Sequence, residues 1–327
     1  MFNFDKFLNQ PIVVFGAGSI GERHIRNLWQ LGFRNIAVFR QRNLPFRDIA
    51  DAKVTIIKTW DEVEKIKPIA AIITSPTSFH MAQAIECINR NIHILVEKPL
   101  SNTTENFEIL KTAIRINPVF VYVGYMMRFH PLILKAKQIV ESQLYGDLIS
   151  IQSKWAEYLP DWHPWEDYRT SYAAQKSLGG GVALTLSHEI DLCNNLSNSE
   201  VRSSFIQKNY KSKLEIDVES GADILIKYEN DTTSNIHLNF YEKCKERFLR
   251  IVLDDASLIF DYFNSTLTIK TNFQEDIVFT EKNFDRNDMF LEQTKYFFSK
   301  LNHFTLEESL QQVENSEQII KICNNGI

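Results

Sequence analysis

A glycine-rich turn that begins at residue 16 constrains the fold more than any other feature of this chain. Residues 12–15 (IVVF) form an apolar run typical of a buried parallel strand, GAGSIG follows, and apolar residues then recur at helical spacing. Gly16 permits a tight turn, Gly18 lets the backbone approach a pyrophosphate, and Gly21 allows the helix to pack closely on the strand. The pattern predicts a dinucleotide-binding turn. The alternative is a glycine turn with a structural role only.

Apolar strands and helical segments continue to alternate as far as residue 125. Further strands are predicted at 54–58, 69–75, 92–97 and 119–125, and helices at 77–90 and 103–115. This alternation predicts an α/β fold with a doubly wound parallel sheet of the Rossmann type. Ligands of such sheets bind beyond the carboxyl ends of the strands, where two polar clusters fall: SPTSFH (75–80) and EKP (97–99).

The segment after the second predicted strand indicates which dinucleotide is bound. Where an acidic residue commonly binds the adenosine ribose, this chain has Arg40-Gln41-Arg42. Guanidinium groups pair with a 2′-phosphate, whereas a carboxylate repels it. Arg40 and Arg42 therefore favour NADP(H), and NAD(H) stays open. The alternative is that both arginines are solvated loop residues.

Lys98 stands in the more informative of the two polar clusters. Pro99 excludes the α-helical conformation at Lys98 and directs its side chain away from the end of the sheet. A lysine beside a cationic or desolvated centre loses its proton more easily and can act as a general acid or base. The pattern predicts a catalytic Lys98, and a surface lysine in a turn is the alternative.

Length, charge and cysteine content narrow the class of protein. A chain of 327 residues exceeds what one hydrophobic core supports, which predicts two domains. A net charge of −5 with dispersed acids gives no support for nucleic-acid binding. The four cysteines lack metal-ligand spacing, so no metal site is predicted. Because no apolar run is long enough to span a membrane and the N-terminus does not read as a signal peptide, we expect a cytoplasmic protein.

Five motifs, in this order, resemble those of one oxidoreductase family. FGAGSIG, SPTSFH, VEKPLS, GYMMRFHP and GGGVALTLSHEID are similar to motifs of the glucose–fructose oxidoreductase / inositol dehydrogenase / rhizopine-catabolism (Gfo/Idh/MocA) family. The resemblance implies a Rossmann domain at 1–125. At 126–327 it implies an α+β domain for substrate binding and oligomerisation, with a large open, mostly antiparallel sheet. It also implies hydride transfer between a nicotinamide cofactor and a hydroxyl or keto group of a sugar, cyclitol or sugar nucleotide.

The resemblance assigns roles to individual positions. Lys98 is implied to be the acid/base group near the nicotinamide, and His188 to stand on the other wall of the substrate pocket. Arg169 resembles an arginine near the nicotinamide, although Tyr168 replaces the tryptophan that usually precedes it. The positions predicted to contact the cofactor are Gly16, Gly18, Ser19, Ile20, Gly21, Arg40, Arg42, Ser75, Pro76, Thr77, His80, Glu97, Lys98 and Arg169.

The helix predicted around His188 departs from the family pattern. The family commonly has an aspartate three or four residues before this histidine, whereas this chain has Leu184 and Thr185. Thr185, His188 and Asp191 are spaced three apart, which predicts one helical face toward the substrate. Two interpretations remain. In one, Lys98 transfers the proton while His188 binds or assists; in the other, His188 is a packed core residue and the site is catalytically weakened.

A segment rich in aromatic and hydrogen-bonding side chains, residues 158–177, precedes the glycine triplet 179–181. Aromatic faces stack on sugar rings or nicotinamide, and arginine pairs with acidic groups. The residues predicted to bind substrate are Trp162, His163, Trp165, Tyr168 and Arg169, together with Thr185 and Asp191. Packing against the sheet is the alternative. In broad pattern the segment resembles family members from bacterial surface-sugar pathways, including nonulosonic acid biosynthesis.

Residues 201–281 read as successive strands with turns at Asn230-Asp231 and Asp254-Asp255. One apolar face of such a meander needs a cover, so we expect a homodimer or homotetramer formed through this sheet. Together these features predict an NADP(H)-preferring oxidoreductase that acts on a sugar-type small molecule. The alternative is a nucleotide-binding sensor or partner subunit with weak or no turnover.

Overall fold

The computed structural model describes residues 4–41, 45–49, 53–272 and 275–327. The chain divides into two compact units, each of which contains its own sheet. The first unit comprises Met1–Gly124 and Asn287–Gln318, and the second comprises Tyr125–Arg286 and Ile319–Ile327.

A six-stranded parallel sheet forms the centre of the first unit. Its strands are β1 (Ile12–Phe15), β2 (Ile36–Phe39), β3 (Thr55–Ile57), β4 (Ala70–Ile73), β5 (His93–Val96) and β6 (Val121–Val123). Their order across the sheet is β3-β2-β1-β4-β5-β6, and every neighbouring pair is parallel. The chain starts at the centre, winds to one edge and returns to build the other half. The predicted doubly wound α/β fold is therefore confirmed.

The helices of this part of the chain follow the strands and leave the polar residues at one end of the sheet. They are α1 (Ser19–Gln30), α2 (Trp60–Ile66), α3 (His80–Asn89) and α4 (Phe107–Ile116). Strands β1 and β4 are buried along their whole length, which explains why their sequences are apolar throughout rather than alternating. Because all six strands point the same way, Gly16, Arg40 and Glu97 stand beyond carboxyl ends at the same end of the sheet.

Two late helices, α8 (Arg286–Lys300) and α9 (Leu306–Asn324), give most of their residues to the first unit. The Phe298 ring packs on Phe33 with centroids 4.3 Å apart, and the Ser309 hydroxyl donates to the Val119 carbonyl at 2.9 Å. The structure differs here from the sequence division at residue 125, which placed these helices in the second domain. Periodicity shows that a helix has an apolar face, but it does not reveal which distant core that face joins.

The second unit contains an eight-stranded sheet. Its strands are β7 (Leu148–Ala156), β8 (Val201–Asn209), β9 (Gly221–Tyr228), β10 (Thr233–Asn239), β11 (Glu246–Leu253), β12 (Ser257–Asp261), β13 (Thr266–Lys270) and β14 (Ile277–Thr280). Their order is β14-β13-β12-β11-β7-β10-β9-β8, and only β7 and β10 pair in parallel. The predicted large, mostly antiparallel sheet is confirmed.

Burial alternates along the strands of this second sheet. Helices of the second unit are α5 (Pro131–Glu141), α6 (Val182–Thr185) and α7 (His188–Ser197). Helix α7 packs on β7 and β10, and Ile236 of β10 and its cross-strand partner Ile224 of β9 are fully buried. The alternate positions are open: Phe205 is 59% exposed and its partner on β9, Leu225, is 53% exposed. This chain therefore leaves apolar side chains on one face of the sheet.

Candidate functional site

Three glycines shape the turn after β1, and they serve two different steric needs. Gly16 has a φ of +90°, a conformation that favours glycine, and a Cβ there would lie 2.9 Å from the Ser75 nitrogen. A Cβ on Gly21 would come within 2.5 Å of the Gly16 carbonyl oxygen. A Cβ on Gly18 would meet nothing within 4 Å. Gly16 and Gly21 therefore serve close packing, whereas Gly18 borders open space.

That open space adjoins the amino end of helix α1. Gly18 is the residue before the helix, and Ser19 begins it. The N–H groups of a first helical turn have no partners within the helix and attract anions such as phosphate. The Thr74 hydroxyl donates to the Phe15 carbonyl at 2.9 Å and so joins the turn after β4 to the end of β1. The residues present fit a pyrophosphate at this place.

Arg40 follows β2 beside an aromatic ring. Its guanidinium carbon lies 4.2 Å from the centroid of Phe46, and among the described residues its buried Nε has no hydrogen-bond partner. The segment that carries Phe46 is held by Glu22 of α1, which accepts the backbone N–H of Arg47 at 2.9 Å. Arg40 thus retains an N–H group that can donate a hydrogen bond to an anion. Arg42, the second predicted phosphate ligand, lies outside the described residues.

Lys98 follows β5 and shares its turn with a buried carboxylate. Glu97 is 8% exposed, and its Oε1 lies 2.8 Å from Nε2 of His24 in α1. Burial opposes the charge of Glu97, but the hydrogen bond with His24 and the nearby charges of His24 and Lys98 outweigh it and hold the pKa of Glu97 below its usual value. The carboxylate also accepts the backbone N–H of Lys98 at 3.3 Å. The turn is thereby tied to α1.

His80, the first residue of α3, contacts both polar turns of the first unit. Its Nδ1 lies 2.9 Å from the Pro99 carbonyl oxygen, and its Nε2 lies 2.7 Å from the Ser75 carbonyl oxygen. The Ser75 hydroxyl donates to Gln83 at 2.7 Å. Both ring nitrogens of His80 therefore face the backbone of the chain itself. Of the remaining predicted cofactor contacts in this unit, Ser19 and Pro76 are exposed, Ile20 is half-buried and Thr77 is buried.

In the second unit, His188 lies between two aromatic rings. The Tyr125 ring meets it edge-on with centroids 5.6 Å apart, and the Trp155 ring lies at 6.1 Å with an interplanar angle of 30°. The side chain is buried, with 2% of the residue exposed. Two aromatic neighbours restrict the rotation of the imidazole and fix the direction in which it points.

The sequence predicted one continuous helix around His188, but the structure has two. Helix α6 ends at Thr185, and α7 begins at His188, because Leu186 leaves the helical conformation with φ −97° and ψ 20°. Thr185 and His188 therefore lie on separate helices rather than one face. The prediction of a shared helical face holds for His188 and Asp191, which are both in α7.

Helix α7 is anchored close to His188 by two ion pairs: Arg247–Glu189 is buried, and in Arg128–Asp191 the carboxylate is buried while the arginine is partly exposed. Arg128 donates to both oxygens of Asp191, at 2.9 and 2.6 Å, and Asp191 is fully buried. Burial raises the pKa of Asp191, and Arg128 opposes that rise. Arg247 donates twice to Oε1 of Glu189, at 2.9 and 2.6 Å. In this arrangement the Asp191 carboxylate, predicted to bind substrate, anchors the helix.

The glycine triplet before α6 packs tightly on its own surroundings. A Cβ on Gly180 would lie 2.3 Å from the Tyr172 carbonyl oxygen, and one on Gly181 would lie 2.5 Å from Glu219. The Glu219 carboxylate accepts the Ala183 N–H at 3.2 Å, which caps the start of α6. Burial raises the pKa of Glu219. These glycines have a packing reason within the chain for lacking a side chain.

The aromatic segment divides into packed and open residues. Trp162 meets the buried Phe240 edge-on at 5.4 Å, as the packing alternative expected. His163 and Trp165 lie together with centroids 5.3 Å apart, and Trp165 is 69% exposed. Tyr168 and Arg169 instead reach a neighbouring segment: the Tyr168 hydroxyl accepts the N–H of Glu215 at 3.1 Å, and Arg169 pairs with the carboxylates of Asp167 and Glu215.

Sequence reasoning missed the residues that support the predicted ones. His24, Arg128 and Arg247 are the clearest examples, because each pairs with a carboxylate far away in sequence. No local motif marks such a pair; only the strand order brings the partners together. Lys98 and His188 belong to different units, and their approach across a nicotinamide stays a prediction.

Two further properties concern metals and membranes. Within the ranges that the structure describes, no group of three or more His, Cys, Asp or Glu side chains is placed to hold a metal ion. In the same ranges, no helix has the length and hydropathy that crossing a bilayer requires.

Comparison with known proteins places both units in one family. Residues 11–125 match the model described as oxidoreductase family, NAD-binding Rossmann fold (GFO_IDH_MocA), and residues 133–259 match the GFO/IDH/MocA C-terminal domain. The two matches together span well over half of the chain.

Individual relatives are more distant. The uncharacterized oxidoreductase YrbE of Bacillus subtilis is 29% identical over 206 residues, which cover 58% of this chain and 54% of that protein. The scyllo-inositol 2-dehydrogenase (NADP(+)) IolW of the same organism is 29% identical over 116 residues, 35% of this chain and 32% of that protein. The chain thus spans about half the length of such relatives, or less.

A solved structure extends the likeness of fold to the whole chain. A levoglucosan dehydrogenase in complex with NADH superposes with a TM-score of 0.81 and covers 97% of this chain and 95% of its own. Its sequence identity is 16%, so the likeness concerns the fold alone.

Substituting Gly18 and Gly21 separately tests whether the two glycines serve different needs. We expect Gly21→Ala to destabilise the protein by about 1–3 kcal/mol, because its methyl group collides with the Gly16 carbonyl. Gly18→Ala should leave thermal stability unchanged but weaken dinucleotide binding, since its methyl group enters the open space. Melting curves and fluorescence titration with NADPH measure the two effects. Wild-type NADPH affinity in Gly18→Ala would contradict the assignment of that space.

Proposed function

The chain belongs to the GFO/IDH/MocA oxidoreductase family, and on that premise we propose that it is an NAD(P)-dependent oxidoreductase. It transfers a hydride between the nicotinamide and a hydroxyl or keto group of a sugar, sugar acid or nucleotide sugar. The observation that carries this proposal is the open space at Gly18, at the same end of the sheet as Lys98. A dinucleotide site and a proton-transferring group thus share one surface of the first unit.

The proposed mechanism assigns a separate task to each unit. The nicotinamide supplies the hydride chemistry when it is bound. Lys98 gives a proton to the substrate oxygen or takes one from it, since oxidising an alcohol releases a proton and reducing a ketone consumes one. Glu97 remains charged because of His24 and Lys98, and its carboxylate holds the Lys98 backbone. His188, oriented by Tyr125 and Trp155, binds the substrate hydroxyl or assists the proton transfer.

The substrate proposal remains at the level of a chemical class. His163 and Trp165 offer an imidazole and an exposed indole face, which suits a polyhydroxylated ring. Relatives include an enzyme named for scyllo-inositol, and a structural neighbour is named for levoglucosan. A role in bacterial surface-sugar (nonulosonic acid) biosynthesis stays a hypothesis from the sequence.

The four cysteines are free thiols, which supports a location in the reducing cytoplasm.

NADP(H) is the proposed cofactor in preference to NAD(H). Arg40 supports it, because its guanidinium keeps a buried Nε without a partner among the described residues and stacks on Phe46. The name of the relative IolW includes NADP(+), whereas the levoglucosan dehydrogenase structure contains NADH. The preference therefore depends on the arginines of this chain.

Turnover and the role of Lys98 can be tested together. Purified protein is mixed with NADPH and a panel of keto-sugars, and the loss of NADPH absorbance is followed. We expect Lys98→Met to lower kcat/KM by about 100-fold or more while NADPH binding changes little, because the variant loses only the proton-transferring group. Lys65→Met, at an exposed position of α2, is the matched control. Binding of NADPH without turnover across the panel would favour the sensor alternative, and an intact rate in Lys98→Met would refute its role.

Exchanging the arginines after β2 tests the cofactor preference. In the double variant Arg40→Asp, Arg42→Ala, phosphate-pairing donors are replaced by a ribose acceptor. We expect the ratio of kcat/KM for NADPH to that for NADH to fall at least about ten-fold, which is the loss of one charge-assisted hydrogen bond. Arg34→Met, an exposed arginine before the same strand, should leave the ratio unchanged. An unchanged ratio in the double variant would count against NADP(H).

The exposed apolar face of the second sheet is proposed to form a homodimer or homotetramer. Phe205 and Leu225 are paired across β8 and β9 and more than half exposed. Placing two charges there should convert the oligomer to monomers, because burying unpaired lysines is costly. Sedimentation velocity of Phe205→Lys, Leu225→Lys measures this, with Leu144→Lys as the control at an exposed leucine outside the sheet. A wild-type monomer, or an unchanged oligomer in the double variant, would exclude this face.

A further inference from the structure

His80 has an environment that its predicted role as a cofactor ligand does not explain. The residue is 2% exposed, and each ring nitrogen lies within hydrogen-bond distance of a backbone carbonyl. The Ser75 carbonyl belongs to the turn after β4, and the Pro99 carbonyl belongs to the turn that carries Lys98. One side chain therefore spans the two turns that border the end of the sheet.

The chemistry of the two contacts sets the protonation state in which both can form. A neutral imidazole carries one N–H, so it can donate to one carbonyl only, and its second nitrogen would direct a lone pair at the other oxygen. An imidazolium carries two N–H groups and can donate to both. Distances of 2.7 and 2.9 Å are those of good hydrogen bonds, not of two acceptors in contact.

Some of the groups around His80 raise the pKa of its ring and others lower it. Burial holds the pKa of His80 below its ordinary value; the two carbonyls and the Glu97 carboxylate partly offset this fall, and Lys98 adds to it. Nε2 of His24 lies 2.8 Å from the same carboxylate. The same repulsion acts on Lys98: a charged His80 favours the neutral amine of the lysine. A proton on His80 would therefore affect both the position and the reactivity of Lys98.

We propose that His80 is a positioning residue: its ring bridges the Ser75 turn and the Pro99 turn and so holds Lys98 in its working place, and both hydrogen bonds are formed when the ring is protonated. The inference rests on the proposed function, because Lys98 is the group it serves. It assigns His80 no contact with the reacting atoms. When the ring loses its proton, one of the two contacts is lost and the turns are free to separate.

Two substitutions test the two hydrogen bonds of His80 separately, because each keeps one bond and removes the other. The amide of His80→Asn reaches the place of Nδ1 and keeps the Pro99 contact, whereas that of His80→Gln reaches the place of Nε2 and keeps the Ser75 contact. We expect His80→Gln to lower kcat on the order of 100-fold with little change in NADPH binding, because a small displacement of a reacting group has that cost. His80→Asn should retain kcat within a few-fold and bind NADPH more weakly.

His93→Asn is the matched control for these variants. His93 lies in the same unit at the start of β5, and its Nδ1 accepts the N–H of Phe120 at 2.8 Å, a contact that an asparagine oxygen can replace. It should leave kcat and NADPH affinity unchanged. If His80→Gln and His80→Asn behave like this control, or lose kcat equally, the positioning role is wrong.

A second measurement uses the unmodified protein and does not depend on turnover. In protein labelled with ¹⁵N-histidine, the ring nitrogen signals of His80 distinguish a doubly protonated ring from a neutral tautomer. Because the pKa of His80 is lowered, we expect one neutral tautomer near neutral pH and two protonated nitrogens only at acidic pH, below the ordinary pKa of histidine. A ring that is neutral throughout would overturn this bridging role even if the enzyme is active. Double protonation without turnover would support the bridging role and reject the proposed reaction.

Discussion

The close approach of three backbone segments at the end of β1 is the constraint on which the first unit depends. Gly16 touches the Ser75 backbone, Gly21 touches the Gly16 carbonyl, and the Thr74 hydroxyl donates to the Phe15 carbonyl. These contacts bring β1, α1 and the turn after β4 to van der Waals distance of one another. Because this packing leaves no room for a side chain at Gly16 or Gly21, the sequence must carry glycine there whether or not a ligand binds.

Buried charges play the corresponding part in the second unit. Two ion pairs, Arg128–Asp191 and Arg247–Glu189, hold α7 within one turn of His188. A buried ion pair adds little net stability, since desolvating both charges offsets their attraction, but losing one partner leaves an uncompensated charge. The pairs therefore act as strict positional constraints: α7 cannot turn or slide without breaking one of them. Because His188 is part of α7, the same constraints fix the position of its imidazole.

Sequence patterns with a local cause were predictable, and patterns with a distant cause were not. The buried parallel strands, the glycine turn and the alternating meander each follow from spacing along the chain. The break at Leu186 did not, because the segment 182–191 contains no glycine or proline that would end a helix. Trp162 could not be separated from Trp165 either, since only the fold shows that the first packs on Phe240 and the second is exposed. For the same reason the sequence division at residue 125 placed α8 and α9 with the second domain, whereas most of their residues belong to the first unit.

The missing aspartate before His188 changes where proton-handling groups can be found. The nearest substitute by position, Thr185, offers a hydroxyl, and the buried Glu219 carboxylate beside α6 is committed to the Ala183 N–H. Asp191 is likewise committed to Arg128. In the first unit, by contrast, Lys98, Glu97, His24 and His80 form one connected set through hydrogen bonds and charge. These contacts support the proposal that Lys98 transfers the proton and that His188 acts as an oriented imidazole rather than as a second base.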